Sequence, residues 1–234
     1  ALSGQYQPLF YYFKQLFAQV TNPPIDAIRE HLVTSSIIHL GSEGNLLEPC
    51  SKNCKVICHN TPILSRDELQ QLKTVNISGL KSITVPILFD AHLSGGLKQA
   101  LADLFSAADS AIAHGYTIIV LSDKGVNEGK AAIPALLAVS GLHHHLVRSG
   151  NRTRASIVIE SGEPFEVHHH ALLVGYGANA ICPYLAYESV EALVDQGMIT
   201  AEPDKAEENY RKALTNNIVK VMSKMGISTV RSYH

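Results

Sequence analysis

The feature that most constrains the fold is an alternation of short apolar runs and longer helical patterns after residue 80. Three runs are rich in β-branched residues and have the length of strands, at 82–90, 117–121 and 155–159. Such near-continuous apolar strands are typical of parallel sheets whose two faces are both covered by helices. The sequence therefore predicts an α/β fold with a parallel β core built from βα repeats.

The segments between these runs repeat apolar residues at helical spacing. They predict helices at 97–114, 133–148, 164–174, 189–196 and 204–224, with a short fourth strand at 178–184. The repeats form either a partial, barrel-like array or an open, doubly wound sheet, and the sequence does not separate the two. The strands at 83–89, 117–122 and 155–160 are expected to pair in parallel, with helices 97–114 and 205–225 packed on them.

The first 80 residues predict an irregular, helical lead-in to the same domain, which we take as residues 1–234. A helix is expected after Pro23 and Pro24, since proline suits a first helical turn. A second is expected at 64–72, where Ser65 and Glu68 have the spacing of a capping box. Residues 41–62 are expected to be rich in loops.

Composition excludes several classes of partner. The 19 basic and 21 acidic side chains give a net charge of −2 without a basic stripe, which argues against nucleic acid, because phosphate binding needs clustered Lys and Arg. No run reaches the roughly 18 apolar residues of a membrane span. Four cysteines in a chain of this size do not suggest a disulfide scaffold. We expect a soluble protein of a reducing compartment.

Carboxylates follow three of the predicted strands, namely Asp90, Asp123 and the pair Glu160 and Glu163. Function in parallel α/β folds collects at the carboxyl ends of strands, so these residues could serve a free-standing enzyme. The favoured interpretation is that they cap the following helices or anchor loops.

Histidines and cysteines raise a metal-binding alternative. Two triplets, His143 to His145 and His168 to His170, lie in predicted helices, where adjacent residues point in different directions and do not bind one metal ion together. One member of each triplet could still meet the other in space. Cys50, Cys54, Cys58 and His59 have permissive spacing, but no second pair of ligands follows. Structural histidines and free thiols are the favoured interpretation. The usual glycine-rich phosphate loops and the nucleophile elbow are also missing from the sequence.

Four long segments resemble, in order, the central domain of glutamate synthase large subunits. They are YFKQLFAQVTNPPIDAIRE (12–30), IPALLAVSGLHHHLVRSGNRT (133–153), VIESGEPFEVHHHALLVGYGANAICPYLA (158–186) and NYRKALTNNIVKVMSKMGISTVRSY (209–233). The resemblance covers most of residues 10–233. It is far more specific than any short motif in the chain, although the Cys50–Cys58 stretch departs from the family pattern.

The resemblance implies one part of a four-part chain. An N-terminal amidotransferase releases ammonia from glutamine, the central domain follows, an FMN barrel then makes glutamate from 2-oxoglutarate, and a β-helix forms the C-terminal part. FMN and an iron-sulfur cluster are expected outside this segment, and no catalytic, cofactor or metal residue of the family maps onto it. The start at Ala1 without methionine and the abrupt end predict a fragment. A small electron-transfer subunit or ferredoxin is an expected partner, in the cytoplasm or the plastid stroma, and the choice between NADPH and ferredoxin stays open.

The central position also implies that this domain lines a passage for ammonia. Bulk water would protonate ammonia, and the ammonium ion is costly to desolvate. The candidates are Thr21, Asn22, Pro23 and Pro24, because the first two are small, neutral and polar and the prolines stiffen the loop. The competing interpretation is that Thr21 or Asn22 simply caps the following helix.

Overall fold

A computed structural model of the protein describes residues 4–13, 23–45 and 47–233. In the first 80 residues the helices and strands are short: α1 (Glu30–Val33), β1 (Ile38–Gly41), β2 (Val56–His59), α2 (Arg66–Lys73) and β3 (Asn76–Ile77). Strands β1 and β2 form an antiparallel hairpin, and β2 lies within the stretch 41–62 that was expected to be rich in loops. The helix expected directly after Pro24 begins at Glu30 and is four residues long.

The remainder of the chain alternates strands and longer helices, as expected. These elements are β4 (Leu80–Pro86), β5 (Leu88–Asp90), α3 (Gly96–Ala113), β6 (Ile118–Ser122), β7 (Lys130–Ala132), α4 (Ala135–Arg148), β8 (Ser156–Glu160), α5 (Val167–Gly175), β9 (Ala180–Cys182), α6 (Tyr184–Asp195) and α7 (Pro203–Lys224). Four 3₁₀ turns, at Leu9–Tyr12, Ser51–Cys54, Arg152–Arg154 and Val230–Ser232, complete the described elements. Among the described helices, none combines the length and apolar character needed to cross a membrane.

The central sheet has the order β3-β4-β6-β8-β9, and β4, β6, β8 and β9 are all parallel. The prediction of parallel pairing is therefore confirmed. A doubly wound sheet reverses its strand order at a switch point, whereas here the parallel strands follow chain order, as successive strands of a barrel do. Of the two arrangements that the sequence left open, the structure has the partial, barrel-like array. Its strands follow the order of a barrel, but the sheet does not close on itself.

The lead-in covers both edges of this sheet. At one edge β3 pairs antiparallel with β4. At the other, Ile63 forms a parallel bridge with Ile181 of β9. The Leu64 N–H donates to the Ile181 carbonyl at 2.8 Å, and the Ile181 N–H donates to the Pro62 carbonyl at 2.7 Å. The segment before residue 80 is thus part of the same core.

The expected strand at 82–90 is in fact two strands that belong to different sheets. Ile87, fully buried, donates its N–H to Ser122 of β6 and accepts at its carbonyl from the Ile133 N–H, both at 2.8 Å. The chain then enters β5, which pairs antiparallel with β7. The last bond of the parallel ladder is thus made by the Ile87 N–H, one residue past Pro86.

Helix bounds differ from expectation where proline or a side-chain cap sets the start. Helix α6 begins at Tyr184 after Pro183, so the fourth strand ends earlier, at Cys182. Helix α5 begins at Val167, where Glu166 and His169 form the capping box.

Helix α3 packs against β4 and α4, as expected, but α7 packs mainly on α5 and α6. The expectation that it would lie on the sheet is wrong. Helix α7 has one buried face, which includes Leu214, Ile218 and Met222. Because α5 and α6 pack against the helix, this face is covered mainly by other helices.

Candidate functional site

A buried carboxylate occupies the carboxyl edge of the parallel sheet, at the end of β8. Glu160 is 3% exposed, and its Oε2 lies 2.7 Å from the Lys73 ammonium of α2 and accepts a hydrogen bond from the Ser122 hydroxyl of β6. The Lys124 ammonium lies 3.6 Å from its other oxygen. Three elements therefore meet at one ion-paired and hydrogen-bonded group, as a buried charge requires.

Asp123, beside Glu160 on this edge, anchors the loop after β8. It is 3% exposed, and its Oδ2 accepts from the Ser161 hydroxyl at 2.6 Å and from the Gly162 N–H at 3.0 Å. The Asp123 N–H in turn donates to the Glu160 carbonyl. These bonds fix the βα loop, which matches the favoured interpretation from the sequence.

Glu163 caps a helix, as the sequence interpretation also favoured, but the helix is α4 rather than the one that follows it. Its Oε2 accepts from the Ala135 N–H at 2.7 Å, at the positive end of the α4 dipole. Burial raises the pKa of Glu163, against the effect of that hydrogen bond.

Asp90, the fourth of the strand-end acids, is exposed at the end of β5, and its Oδ1 accepts from the His92 N–H at 2.9 Å. The structure places Asp90 in the β5–β7 sheet and not with the other three acids.

The end of β9 adds a thiol and a phenol to this edge. Burial, helped by the charge of Glu160, raises the pKa of Cys182 to about 12, so the thiol stays protonated. Burial, helped by Asp123, also raises the pKa of Tyr184, and the Lys124 ammonium lies 4.7 Å from the centre of the Tyr184 ring. A protonated thiol is a poor nucleophile. The groups at this edge of the sheet therefore hold loops in place and neutralise buried charges.

A second polar cluster joins the lead-in to α7, and the sequence analysis foresaw only its capping box. The Glu68 N–H donates to the Ser65 hydroxyl at 3.1 Å and the Glu68 carboxylate accepts from the Ser65 N–H at 2.7 Å, which confirms the box. Two further residues contact the Glu68 carboxylate. Arg211 of α7 donates to Oε2 at 2.6 Å, and the His59 Nε2 lies 3.2 Å from Oε1. Burial opposes the charge of Glu68, but the bonds from His59, Ser65 and Arg211 lower its pKa to about 2.

The two histidine triplets are packing residues in this structure. In the first, His145 Nε2 lies 2.8 Å from Asp109 and its ring stacks on Phe105. His143 Nδ1 accepts from the largely buried Arg152 at 3.0 Å, a guanidinium that the sequence analysis did not single out.

In the second triplet, His169 and His170 are buried. The His169 ring stacks on Phe10 at 4.5 Å. The His170 Nδ1 lies 2.7 Å from the Glu166 carbonyl oxygen, and burial lowers the pKa of His170 to about 4.

The cysteine stretch lies in and beside the β1–β2 hairpin. Cys50, Cys54 and Cys58 are exposed free thiols. His59 directs one ring nitrogen at the Thr61 carbonyl and the other at Glu68, so its ring is used inside the fold. Over residues 4–13, 23–45 and 47–233, no three His, Cys, Asp or Glu side chains are grouped to hold a metal ion.

The candidates for an ammonia passage are only partly described. Thr21 and Asn22 lie outside the described residues. Pro23 and Pro24 are exposed and lead into the turn before α1. Close by, the Ile25 N–H donates to the Ser223 carbonyl of α7 at 2.8 Å, which ties this loop to the end of that helix.

Comparison with known proteins identifies the family. A sequence profile described as the glutamate synthase central domain matches residues 1–234. The chain is 53% identical to the glutamate synthase [NADPH] large chain of Bacillus subtilis, over 99% of this chain and 15% of that one. It is 44% identical to the glutamate synthase [NADH] of Schizosaccharomyces pombe, over 99% of this chain and 11% of that one. It is 42% identical to the chloroplastic ferredoxin-dependent glutamate synthase 2 of Arabidopsis thaliana, over 99% of this chain and 15% of that one.

The fold and its strand-end cluster define a mostly parallel α/β domain of barrel-like strand order. The chain belongs to the glutamate synthase central domain family, as the resemblance implied. It spans about one seventh or less of the length of these relatives.

Proposed function

We propose that this chain is the connecting domain of a glutamate synthase, between the part that releases ammonia from glutamine and the part that makes L-glutamate from 2-oxoglutarate. The observation that carries the proposal is the match of residues 1–234 to the central domain family within relatives that are all glutamate synthases. The domain works in the cytoplasm, or in the plastid stroma for a plant or algal source.

The domain contributes structure and coupling, and the chemistry takes place elsewhere in the enzyme. The state of the strand-end acids supports this part of the proposal. Glu160 is held by Lys73, Ser122 and Lys124, Asp123 by Ser161 and Gly162, and Glu163 by the start of α4. A general acid or base needs a proton-accepting atom that a substrate can reach. Each of these three carboxylates has at least one oxygen bonded within the protein.

FMN and an iron-sulfur cluster would then be held by other parts of the enzyme, with the amidotransferase and FMN domains of the same chain as the immediate partners. The relatives take their names from three different donors, NADPH, NADH and ferredoxin. A small electron-transfer subunit or ferredoxin would supply the electrons.

The loop at 20–24 is proposed as part of the wall of an ammonia passage. Neutral hydrogen-bonding groups let ammonia pass without the cost of desolvating an ion. Thr21 and Asn22 offer such groups, and Pro23 and Pro24 stiffen the loop. The bond from Ile25 to Ser223 supports this proposal, because it anchors the far end of the loop to a long helix.

The test is made in the full-length enzyme, with Thr21 and Asn22 both replaced by leucine. Glutamine hydrolysis is expected to persist while glutamate formed per glutamine consumed falls, because ammonia escapes before it reaches the second site. Both products are measured in the same reaction, together with free ammonia. The exposed Thr200, replaced by leucine, is the control and should leave the ratio unchanged. If the ratio also holds in the double variant, the loop is only a helix start.

A further inference from the structure

The β1–β2 hairpin is joined to its neighbours by several contacts, among them the Gly41–Ser156 hydrogen bonds to β8 and the Thr61–Thr215 hydroxyl contact to α7. One of these contacts, made to α2 by a histidine at the end of β2, can gain or lose a proton. His59 is the last residue of β2. Its Nδ1 lies 2.7 Å from the Thr61 carbonyl oxygen, and its Nε2 lies 3.2 Å from Glu68 Oε1 of α2. A third contact, from the Thr61 N–H to Nδ1, is longer at 3.4 Å. The two short contacts therefore decide where the ring hydrogens are.

Both ring nitrogens of His59 thus face acceptor oxygens. A neutral imidazole carries one N–H and can donate to only one of the two oxygens, whereas the imidazolium carries two and can donate to both. The observed geometry is that of the protonated ring, beside a carboxylate that stays charged. From this arrangement we propose that His59 is a proton-operated clasp, which holds the end of β2 on Glu68 of α2 when protonated and loosens this end of the hairpin when it loses the proton.

The charges around the ring are consistent with such a clasp. From α2 the ring meets Glu68, and from α7 the guanidinium of Arg211 shares that carboxylate, while Glu208 and Lys212 line the same cleft. On the hairpin, Ile38 of β1 is the paired residue, which carries no charge. The bond to Glu68 raises the pKa of His59, against partial burial and the positive charge of Arg211.

The sign follows from the raised pKa. A histidine whose pKa is higher in the folded protein than in the unfolded chain stabilises the fold fully below the unfolded value, near 6.5, and this contribution is lost as the pH rises through the folded value. Glu68 keeps Arg211 and the Ser65 N–H after His59 deprotonates, so α2 and α7 stay joined. The loss falls on the hairpin alone.

Loosening this end of the hairpin would widen an apolar cleft of about 200 Å³ that lies between the hairpin and α2. Leu40 of β1 and Ile57 of β2 line it from the hairpin side, and Leu72 and Val75 line it from the side of α2. His59 and Glu68 also line it. The clasp therefore sets how firmly the hairpin covers this part of the core. The inference does not depend on the proposed function.

Mass spectrometry of hydrogen exchange tests the clasp in the whole protein. His59 is the sole histidine between residues 40 and 91, so one peptide reports the pH dependence of exchange at its ring carbon. The midpoint is expected above 6.5. Backbone protection in the peptides that cover 36–41 and 56–59, corrected for intrinsic rates, should fall about tenfold between pH 6 and pH 8.5, as expected for one charge-assisted bond.

Two variants accompany the measurement. His59→Gln should abolish the pH dependence of hairpin protection. His114→Gln should retain it, because His114 is an exposed histidine whose Nδ1 contacts only a carbonyl of its own helix turn, Ser110, at 2.7 Å. A His59 midpoint at or below 6.5 overturns the proposal, and so does a wild-type pH response in His59→Gln. If His59→Gln fails to fold, the ring exchange of the wild-type protein still decides.

Discussion

Replacing Lys73 with methionine should lower the free energy of unfolding, because the buried Glu160 loses the cation with which it is paired. The Lys73 side chain is 21% exposed and that of Glu160 is 4% exposed, with 2.7 Å between their charged atoms. Removing one partner of a fully buried pair costs about 3–5 kcal/mol. Glu160 would retain Ser122 and Lys124, and Lys73 is not fully buried. We therefore expect the free energy of unfolding to fall by about 2–3 kcal/mol, a large part of a typical total.

Urea denaturation, followed by circular dichroism at pH 7, measures this loss, with Lys124→Met as the matched control. Lys124 reaches the same carboxylate, but at 3.6 Å and from a side chain that is 50% exposed, so its loss should cost less than about 1 kcal/mol. The double variant Lys73→Met with Glu160→Gln should recover part of the stability, because the uncompensated charge is gone. Equal losses for the two lysines, or strict additivity in the double variant, would refute the reasoning.

Two further predictions concern buried histidine and helix capping. The pKa of His170 is about 4 in the fold and near 6.5 in the unfolded chain, so its stabilising effect is complete above pH 6.5 and is lost as the pH falls towards 4. At 1.36 kcal/mol per pKa unit, His170→Phe should remove up to about 3 kcal/mol of that acid sensitivity. Denaturation curves between pH 7 and 4.5 measure it, and an unchanged slope of the unfolding free energy against pH would contradict the prediction. Ser65→Ala should lower the free energy of unfolding by about 1 kcal/mol by removing the α2 cap, whereas Ser189→Ala, which removes an exposed hydroxyl bond to the Leu185 carbonyl, should cost less than about 0.5 kcal/mol.

The parts of the fold that the sequence predicts are those in which local pattern and burial agree. Strands β6 and β8 are buried along their whole length. Their central positions are all apolar, and these short apolar runs can be recognised in the sequence. The sequence does not reveal the hairpin of β1 and β2, because strands of four residues are too short to show a clear periodicity. The break at Ile87 was missed because a buried residue that links two sheets looks like any strand residue.

The candidate site was only half visible for a similar reason. Asp123, Glu160 and Glu163 could be recognised because each follows a strand or begins a helix. Lys73 could not, because a basic residue in the last turn of a helix is common on electrostatic grounds alone, and its partner is 87 positions further along the chain. The run Ser122-Asp123-Lys124 carries a signal, because an apolar strand ends in one polar residue and two charged residues follow it directly.

The covering of both sheet edges by the lead-in sets a limit on how this protein can be shortened. Unpaired strand edges recruit other chains, and proteins avoid leaving them bare. A truncated version starting at residue 81 would lose the Ile63 bridge from β9 and the β3 pairing from β4. Its two outermost parallel strands would then offer free N–H and carbonyl groups, and self-association into aggregates would compete with folding. The irregular first third of the chain thus protects the edges of the parallel sheet from pairing with other chains.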